Sequence, residues 1–369
     1  MKSILFLIPS LGGGGAERVL VNLVNNLDKR KYKISVQTLF DIGVNRKYLD
    51  KNIEYIPGMK KQFPGNTKIL QLFSPRMLYR WIIKKKYNII ISYLEGPTAR
   101  IVSGCMFPET KLISWIHVEQ LSKKAASHSF RSYEEALECY NKYDLTVCVA
   151  ESVKNDFCSI FPLDNPCVVL YNTNEDDKII QCANEGQSDF VKPKETTIFS
   201  VARLRKEKGF DRLIEAHKSL LQDGLLHQIF VLGEGSEKDY LQEEIAKFEV
   251  SKTFHLMGFK NNPYKYVATA DLYICPSLRE GFSTAVTEAL ILGIPVVSTC
   301  CSGAHELLGT NNEYGIVTEN STQGIYQGLK KILSNPNLLE HYKEKAVERG
   351  KYFSKENTVK AVEKILDTL

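Results

Sequence analysis

Two carboxylates, Glu280 and Glu288, stand eight residues apart in EGFSTAVTEALILG, and two cations, Arg203 and Lys208, stand five apart in RLRKEKGF. Carboxylates accept hydrogen bonds from sugar hydroxyls, and an arginine fork beside a lysine point charge suits a diphosphate. The glutamates occupy a connection between the apolar strands Asp271–Ser277 (DLYICPS) and Ile294–Cys300 (IPVVSTC). Within it Ser283 is placed to cap a helix, with Ala285, Ala289, Leu290 and Leu292 as its apolar face; Gly293 ends it and Pro295 blocks its continuation. Glu280 then falls in the loop at the carboxyl end of a strand and Glu288 inside the following helix. Open α/β sheets bind ligands at that edge, and a helix N-terminus there favours phosphate. By themselves these charges also read as solvated surface, so their company decides.

That company recurs at other strand ends. Gly233-Glu234-Gly235 follows the strand His227–Leu232, and Ser302-Gly303-Ala304-His305-Glu306 can offer backbone amides to the same ligand. Near the N-terminus, Gly12–Gly15 separates the strand Ser3–Pro9 from a helix starting at Ala16, whose Val19, Leu20, Leu23, Val24 and Leu27 fall at helical spacing. His117 ends the strand Lys111–Val118. A GxGxxG dinucleotide pattern fails, because Glu17 stands at the third glycine position. Asp41, after the strand Tyr32–Phe40, can imitate the acidic residue of such a fold, which keeps an NAD-dependent oxidoreductase using the Gly12–Gly15 loop open as one alternative, a non-catalytic sugar-binding protein being the other. No GxxxxGK[ST] is present.

The elements that must position these residues come in two series. Strands are expected at Ser3–Pro9, Tyr32–Phe40, Asn52–Ile56, Tyr87–Leu94, Lys111–Val118, Leu145–Ala150 and Cys167–Tyr171. A second series follows at Thr196–Ala202, His227–Leu232, Phe254–Gly258, Leu272–Cys275, Pro295–Thr299 and Gly315–Thr318. Helical patterns lie between most of them, so the fold class is α/β with two doubly wound parallel sheets. The expected domains are 1–173 and 194–354, with a polar linker at 174–193, noted for Gly186 and Ser188, and a last helix at 355–369.

Composition is that of a globular chain of 369 residues, with a formal net charge of +5, too small to argue for nucleic acid. Nine cysteines lack any CxxC or Cys/His metal spacing, which points to reduced thiols in the cytoplasm. No apolar run is long enough to span a bilayer. From Met59 to Lys86 there are eight lysines or arginines and no acid, interleaved with Phe63, Tyr79, Trp81 and aliphatic residues. That pattern reads as a surface for anionic membranes through Lys60–Lys86, or as an ordinary helix covering a sheet.

GGGGAERVLVNL, VARLRKEKGFDRLIEA, VLGEGSEKDYLQ and above all PSLREGFSTAVTEALILGIPVVSTCCSGAHELL resemble retaining glycosyltransferases of the family 4 type, over nearly the whole chain. The resemblance is nearest to bacterial surface-polysaccharide enzymes. It implies the GT-B fold, two Rossmann-like domains facing across a cleft, with acceptor binding in the first and nucleotide-sugar binding in the second. It implies transfer of a hexose or N-acetylhexosamine from a UDP-sugar, without a metal or other cofactor, to a glycan, often lipid-linked, at the inner membrane face. On that resemblance Arg203 and Lys208 hold the diphosphate, Glu280 the sugar hydroxyls and Glu288 the ribose. Gly14 and Gly15 let the first loop approach, and His117 lies near the reacting sugar. Gly233, Gly281, Phe282 and Ser283 belong to the donor site. Ser283-Thr284 and Ala202 depart from the residues usual in the family.

Overall fold

A computed structural model describes residues 1–61, 65–185 and 190–369, and of residues 66 and 67 the backbone only. Phe63, Gly186 and Ser188 lie outside the described residues. The chain divides into two compact units, Met1–Thr173 with Lys355–Leu369, and Asn174–Ser354.

The first unit is a seven-stranded sheet. Its strands are β1 (Lys2–Ile8), β2 (Tyr32–Thr38), β3 (Glu54–Ile56), β4 (Ile89–Tyr93), β5 (Lys111–Ile116), β6 (Leu145–Cys148) and β7 (Cys167–Val169), in the order β3-β2-β1-β4-β5-β6-β7. The second unit has six: β8 (Thr196–Val201), β9 (His227–Leu232), β10 (Phe254–Leu256), β11 (Leu272–Cys275), β12 (Val296–Thr299) and β13 (Ile316–Thr318), in the order β10-β9-β8-β11-β12-β13. The strand pairs are parallel. Every expected strand is present, most of them shortened at their ends. Ile4–Ile8 are fully buried, because a central parallel strand is covered on both faces. Strand order reverses between β1 and β4 in the first sheet, and between β8 and β11 in the second. Connections leave such a point in opposite directions, and the crevice at the strands' carboxyl ends is where open α/β sheets take ligands.

The C-terminal helix Lys355–Thr368 rejoins the first unit, burying Val359, Val362 and Leu366. Lys2 Nζ donates to the Leu366 carbonyl at 2.8 Å, and the Asp28 amide donates to Glu363 Oε1 at 2.7 Å. The stretch 174–193, expected as a linker, instead carries the helix Asp176–Asn184 and belongs to the second unit. Its polarity is that of a surface helix, and only Ile179 of it is buried.

The basic segment is also more structured than expected. Tyr79 is buried rather than displayed, and Lys85 and Lys86 are tied to Glu54 and Glu109. The fully buried Arg100 pairs with Glu135 at 2.8 Å and donates to the Leu70 and Phe73 carbonyls, both at 2.8 Å. Arg131 donates to the Gln71 and Leu72 carbonyls at 2.6 and 2.9 Å. These two arginines fix the connection into the helix Pro75–Ile82, leaving Leu72, Met77 and Trp81 exposed.

Inside the second unit two histidines are fully buried with their hydrogen bonds ordered. The Leu225 carbonyl can only accept, so His227 Nδ1 carries a proton and donates to it at 2.8 Å. His227 Nε2 then accepts from His217 Nδ1 at 2.8 Å, and His217 Nε2 accepts from the Thr253 hydroxyl at 2.8 Å. Burial, with His227 and His255 nearby, pushes His217 down to about 3, and burial lowers His227 as well. Unfolded histidines titrate near 6.5, so the stability carried by the neutral pair is full above about pH 6.5 and falls as pH drops towards the folded values. Each histidine that stays neutral costs about 1.4 kcal/mol per pH unit over that window. Urea unfolding at pH 7.5 and pH 5.5 should show this loss, and His217→Gln with His227→Gln should flatten it; an equal slope in the variant contradicts the assignment.

Candidate active site

In the second unit the site forms at the switch point between β8 and β11. After β8 the chain runs Ala202-Arg203-Leu204, makes a short turn at Lys206–Lys208, and enters the helix Phe210–Gln222 through Gly209 at φ +65°. A Cβ on Gly209 would strike the Pro276 carbonyl, so glycine is needed for the close approach to the loop after β11. The two loops are stitched together. The Leu278 amide donates to the Glu207 carbonyl at 2.8 Å, and Arg212 Nη2 donates to the Pro276 carbonyl at 2.6 Å.

This stitching delivers Lys208 Nζ to Glu280 Oε1 at 2.6 Å, with both side chains largely buried. Ser277 Oγ donates to the same oxygen at 2.8 Å. Glu280 Oε2 has no protein partner among the described residues, and a carboxylate oxygen in that state suits hydrogen bonds from hydroxyls. Arg203 is exposed on the loop before Lys208.

The helix Thr284–Ile291 follows with Ser283 as its N-cap, the Ser283 hydroxyl accepting from the Val286 amide at 3.4 Å. Its buried face is Val286, Thr287, Ala289 and Leu290, while Ala285 and Leu292 are only half-buried. Glu288 is half-buried one turn further on, where the Tyr264 hydroxyl donates to its Oε1 at 3.1 Å. Phe282 is buried against Phe353, ring centroids 5.6 Å apart, and so shapes the loop from beneath. Gly281 and Gly303 lie together: a Cβ on Gly303, at φ +75°, would sit 3.0 Å from the Gly281 carbonyl oxygen. Gly303 also begins the short helix Ala304–Leu308, so the amides expected there stand beside the Glu280 loop.

Gly233, at φ +145°, allows the loop after β9 to rest on Ala202, whose carbonyl a Cβ would strike. The Leu204 amide donates to the Glu234 carbonyl at 3.0 Å, which completes the support of the Arg203 loop. A cavity of about 260 Å³ nearby, lined by Arg205, Lys206, Phe210, Asp211, Glu237, Tyr240 and Leu241, contains none of these site residues.

In the first unit Gly14 caps the helix Gly15–Asn26, and Glu17 folds back against it. His117 follows β5 and is 5 % exposed, its ring 4.6 Å from that of Tyr93. Burial pushes His117 down to about 3, so it acts as a neutral imidazole, and its Nε2 has no partner among the described residues. Its amide donates to Glu95 Oε2 at 3.0 Å; burial raises the Glu95 carboxyl, opposed by this bond. Asp41 accepts from the Tyr55 hydroxyl at 2.6 Å and from Arg46 at 3.1 Å. It is thus engaged within the unit.

The spacing of Glu280, Glu288, Arg203 and Lys208 located the second crevice. Ser277 and Tyr264, which hold Glu280 and Glu288, were missed. Ser277 lies three residues before Glu280 and could have been read as its support, whereas nothing in NNPYKY marks Tyr264 as the partner of Glu288.

The Glycosyltransferase Family 4 model matches residues 13–176, and the model for Glycosyl transferases group 1 matches residues 184–349. The chain is 29% identical over 366 residues, 96% of each chain, to the N-acetylgalactosamine-N,N'-diacetylbacillosaminyl-diphospho-undecaprenol 4-alpha-N-acetylgalactosaminyltransferase of Campylobacter jejuni. Among solved structures it resembles Anabaena HepE in complex with UDP, with TM-score 0.76, 18% identity and full coverage of both chains. It also resembles sucrose-phosphate synthase from Thermosynechococcus elongatus, with TM-score 0.78, 13% identity and coverage of 100% and 99%. The two sheets therefore form the GT-B fold.

Gly233→Ala should destabilise the protein by roughly 1–3 kcal/mol, through the strained φ and the clash with Ala202. Urea unfolding checks this, and an unchanged midpoint would mean that the loop has room to move.

Proposed function

Because the chain belongs to the glycosyltransferases that pair a family 4 domain with a group 1 domain, we propose that it is a retaining, UDP-sugar-dependent enzyme of cell-surface polysaccharide synthesis. It transfers a hexose or N-acetylhexosamine to a lipid-linked glycan. The observation that carries this reading is the Lys208–Glu280–Ser277 cluster at the β8/β11 crevice. It puts a fixed cation and a hydroxyl-binding carboxylate side by side, as a sugar diphosphate requires.

In the proposed mechanism Arg203 and Lys208 face the diphosphate, and the charge developing on the leaving group is met by preorganised side chains. Glu280 takes sugar hydroxyls through its remaining oxygen. Glu288, oriented by Tyr264, takes the ribose hydroxyls. Gly14 and Gly15 leave the first loop low enough for substrate to approach, and the neutral His117 hydrogen-bonds the reacting sugar. The acceptor attacks on the face the diphosphate leaves, and the departing phosphate oxygen takes the acceptor proton, so no side-chain nucleophile is used. With Arg203 and Lys208 supplying the positive charge, the proposed scheme calls on no metal cofactor.

A lipid-linked acceptor is supported by the name of the Campylobacter jejuni relative and by the surface of the first unit. Leu72, 73% exposed, and Trp81, 50% exposed, stand beside the exposed cations Lys68, Arg76, Arg80 and Lys84. Buried Arg100 holds the Leu72 connection from beneath. No helix among the described residues is long and apolar enough to cross a membrane. We therefore place the protein peripherally on the anionic inner face of the cell membrane, through Leu72 and Trp81 rather than through Tyr79.

Screening UDP-N-acetylgalactosamine, UDP-N-acetylglucosamine, UDP-galactose and UDP-glucose for UDP release with a short polyprenyl-diphosphate glycan tests the reaction. The anomeric proton of the product reports retention. An inverted product, or release with none of these donors, rejects the reading. Glu288→Ala should weaken UDP itself by roughly 1.5–3 kcal/mol, the loss of a charged hydrogen-bond partner, measured by calorimetry. For the membrane surface, Arg76→Glu with Arg80→Glu should abolish co-sedimentation with anionic vesicles at moderate salt, since each cation contributes about 1 kcal/mol near such a surface. Sedimentation equal to the parent would leave this face as plain solvent-exposed surface.

A further inference from the structure

In the second unit the helix Pro336–Tyr352 packs against the helix Thr284–Ile291, which carries Glu288. Gly350 is buried there, and a Cβ on it would lie 2.4 Å from the Leu290 carbonyl oxygen, so the two helices meet backbone to backbone. Next to Gly350 stands Arg349, a cation to which the donor reading gives no role.

Arg349 directs its hydrogen bonds to backbone. Its Nε donates to the Leu307 carbonyl at 3.0 Å, and its Nη2 donates to the Glu306 carbonyl. Both carbonyls belong to the helix Ala304–Leu308, which has five residues. The last four carbonyls of a helix have no intrahelical amide to accept from, and a helix this short does not hold itself. Arg349 therefore caps it from another element, where a cation also meets the negative end of the helix dipole. The guanidinium is itself held between rings. Its Cζ lies 4.7 Å from the ring centroid of Tyr314, 4.5 Å from that of Tyr352 and 4.8 Å from that of Phe353.

Two routes lead from Arg349 to the Glu280 loop. The first is the capped helix, which begins at Gly303. A Cβ on Gly303 would sit 3.0 Å from the Gly281 carbonyl oxygen and 3.1 Å from the Phe282 ring, so the two segments are in close register. The second is Phe353, fully buried, with the guanidinium over its ring and its edge against Phe282 at 5.6 Å between centroids. Gly281-Phe282 directly follows Glu280 and precedes the Ser283 cap. We propose that Arg349 is a positioning residue for donor binding: by fixing Ala304–Leu308 and, through Phe353, Gly281-Phe282, it holds the Glu280 loop where a nucleotide sugar is taken. It acts through these segments and not by touching the substrate. This rests on the glycosyl-transfer reading above.

Arg349→Met keeps a long apolar stem among the three rings but removes the charge and both donors. Well below its unfolding temperature, this variant should show a KM for the UDP-sugar that the parent uses, and a calorimetric Kd for UDP, each raised roughly tenfold or more. The acceptor KM should stay at the parent value. Arg349→Lys keeps the charge without the planar fork, so its rise should be smaller, about threefold. It carries the same comparison if Arg349→Met does not fold. An arginine that serves stability alone lowers the urea midpoint and leaves donor KM and UDP affinity of the folded variant at the parent values; that result overturns the proposal. If the parent neither binds UDP nor releases it from any of the four screened donors, the glycosyl-transfer reading fails, and hydrogen exchange decides the positioning. Amides of 281–283 and 303–308 that exchange about tenfold faster in folded Arg349→Met support it, and equal rates overturn it.

Discussion

A lysine and a glutamate held 2.6 Å apart at the point where a sheet reverses its strand order set the terms for the second unit. Partly buried charges of this kind persist only when each is compensated, and removing one leaves the other stranded. Everything around the pair serves to hold it. Gly209 and Arg212 bring the loop after β8 onto Pro276, Leu278 bonds back to Glu207, and Ser277 shares the Glu280 oxygen. Gly233 and Glu234 support the loop from the other side. The pair is therefore preorganised, so that in the proposed function a diphosphate would meet a cation whose position is already fixed.

The same architectural logic accounts for the first unit. A doubly wound sheet offers one crevice, and the residues after its first and fourth strands border it. In the second sheet these residues are Arg203, Lys208 and Glu280, two cations and a carboxylate. In the first they are the glycine loop and Glu95, with His117 following the neighbouring strand. One fold thus presents two different chemistries through the choice of loop residues alone.

Much of this was legible in the residues. Apolar runs such as Ile4–Ile8 and Leu272–Cys275 mark buried parallel strands, and Ser283 with Gly293 marks the ends of the helix that carries Glu288. The contacts that orient the site were less so. Tyr264 reaches Glu288 from a different element, and the Arg100–Glu135 pair that displays Leu72 joins distant segments; neither leaves a local pattern. Polarity misled at 174–193, where a surface helix has a linker's composition. Periodicity was weakest where charge was strongest: Tyr79 and Trp81 are two residues apart, yet helical geometry buries the first and exposes the second.

The central claim is that Lys208, held by Glu280, stabilises the charge of a departing diphosphate. Single-turnover kinetics of Lys208→Ala at saturating UDP-sugar tests it most directly, because saturation removes differences in binding. The chemical step should slow by about two orders of magnitude or more, as for loss of a fixed charge contact made in the transition state. A chemical step within a few-fold of the parent in a folded variant would contradict it.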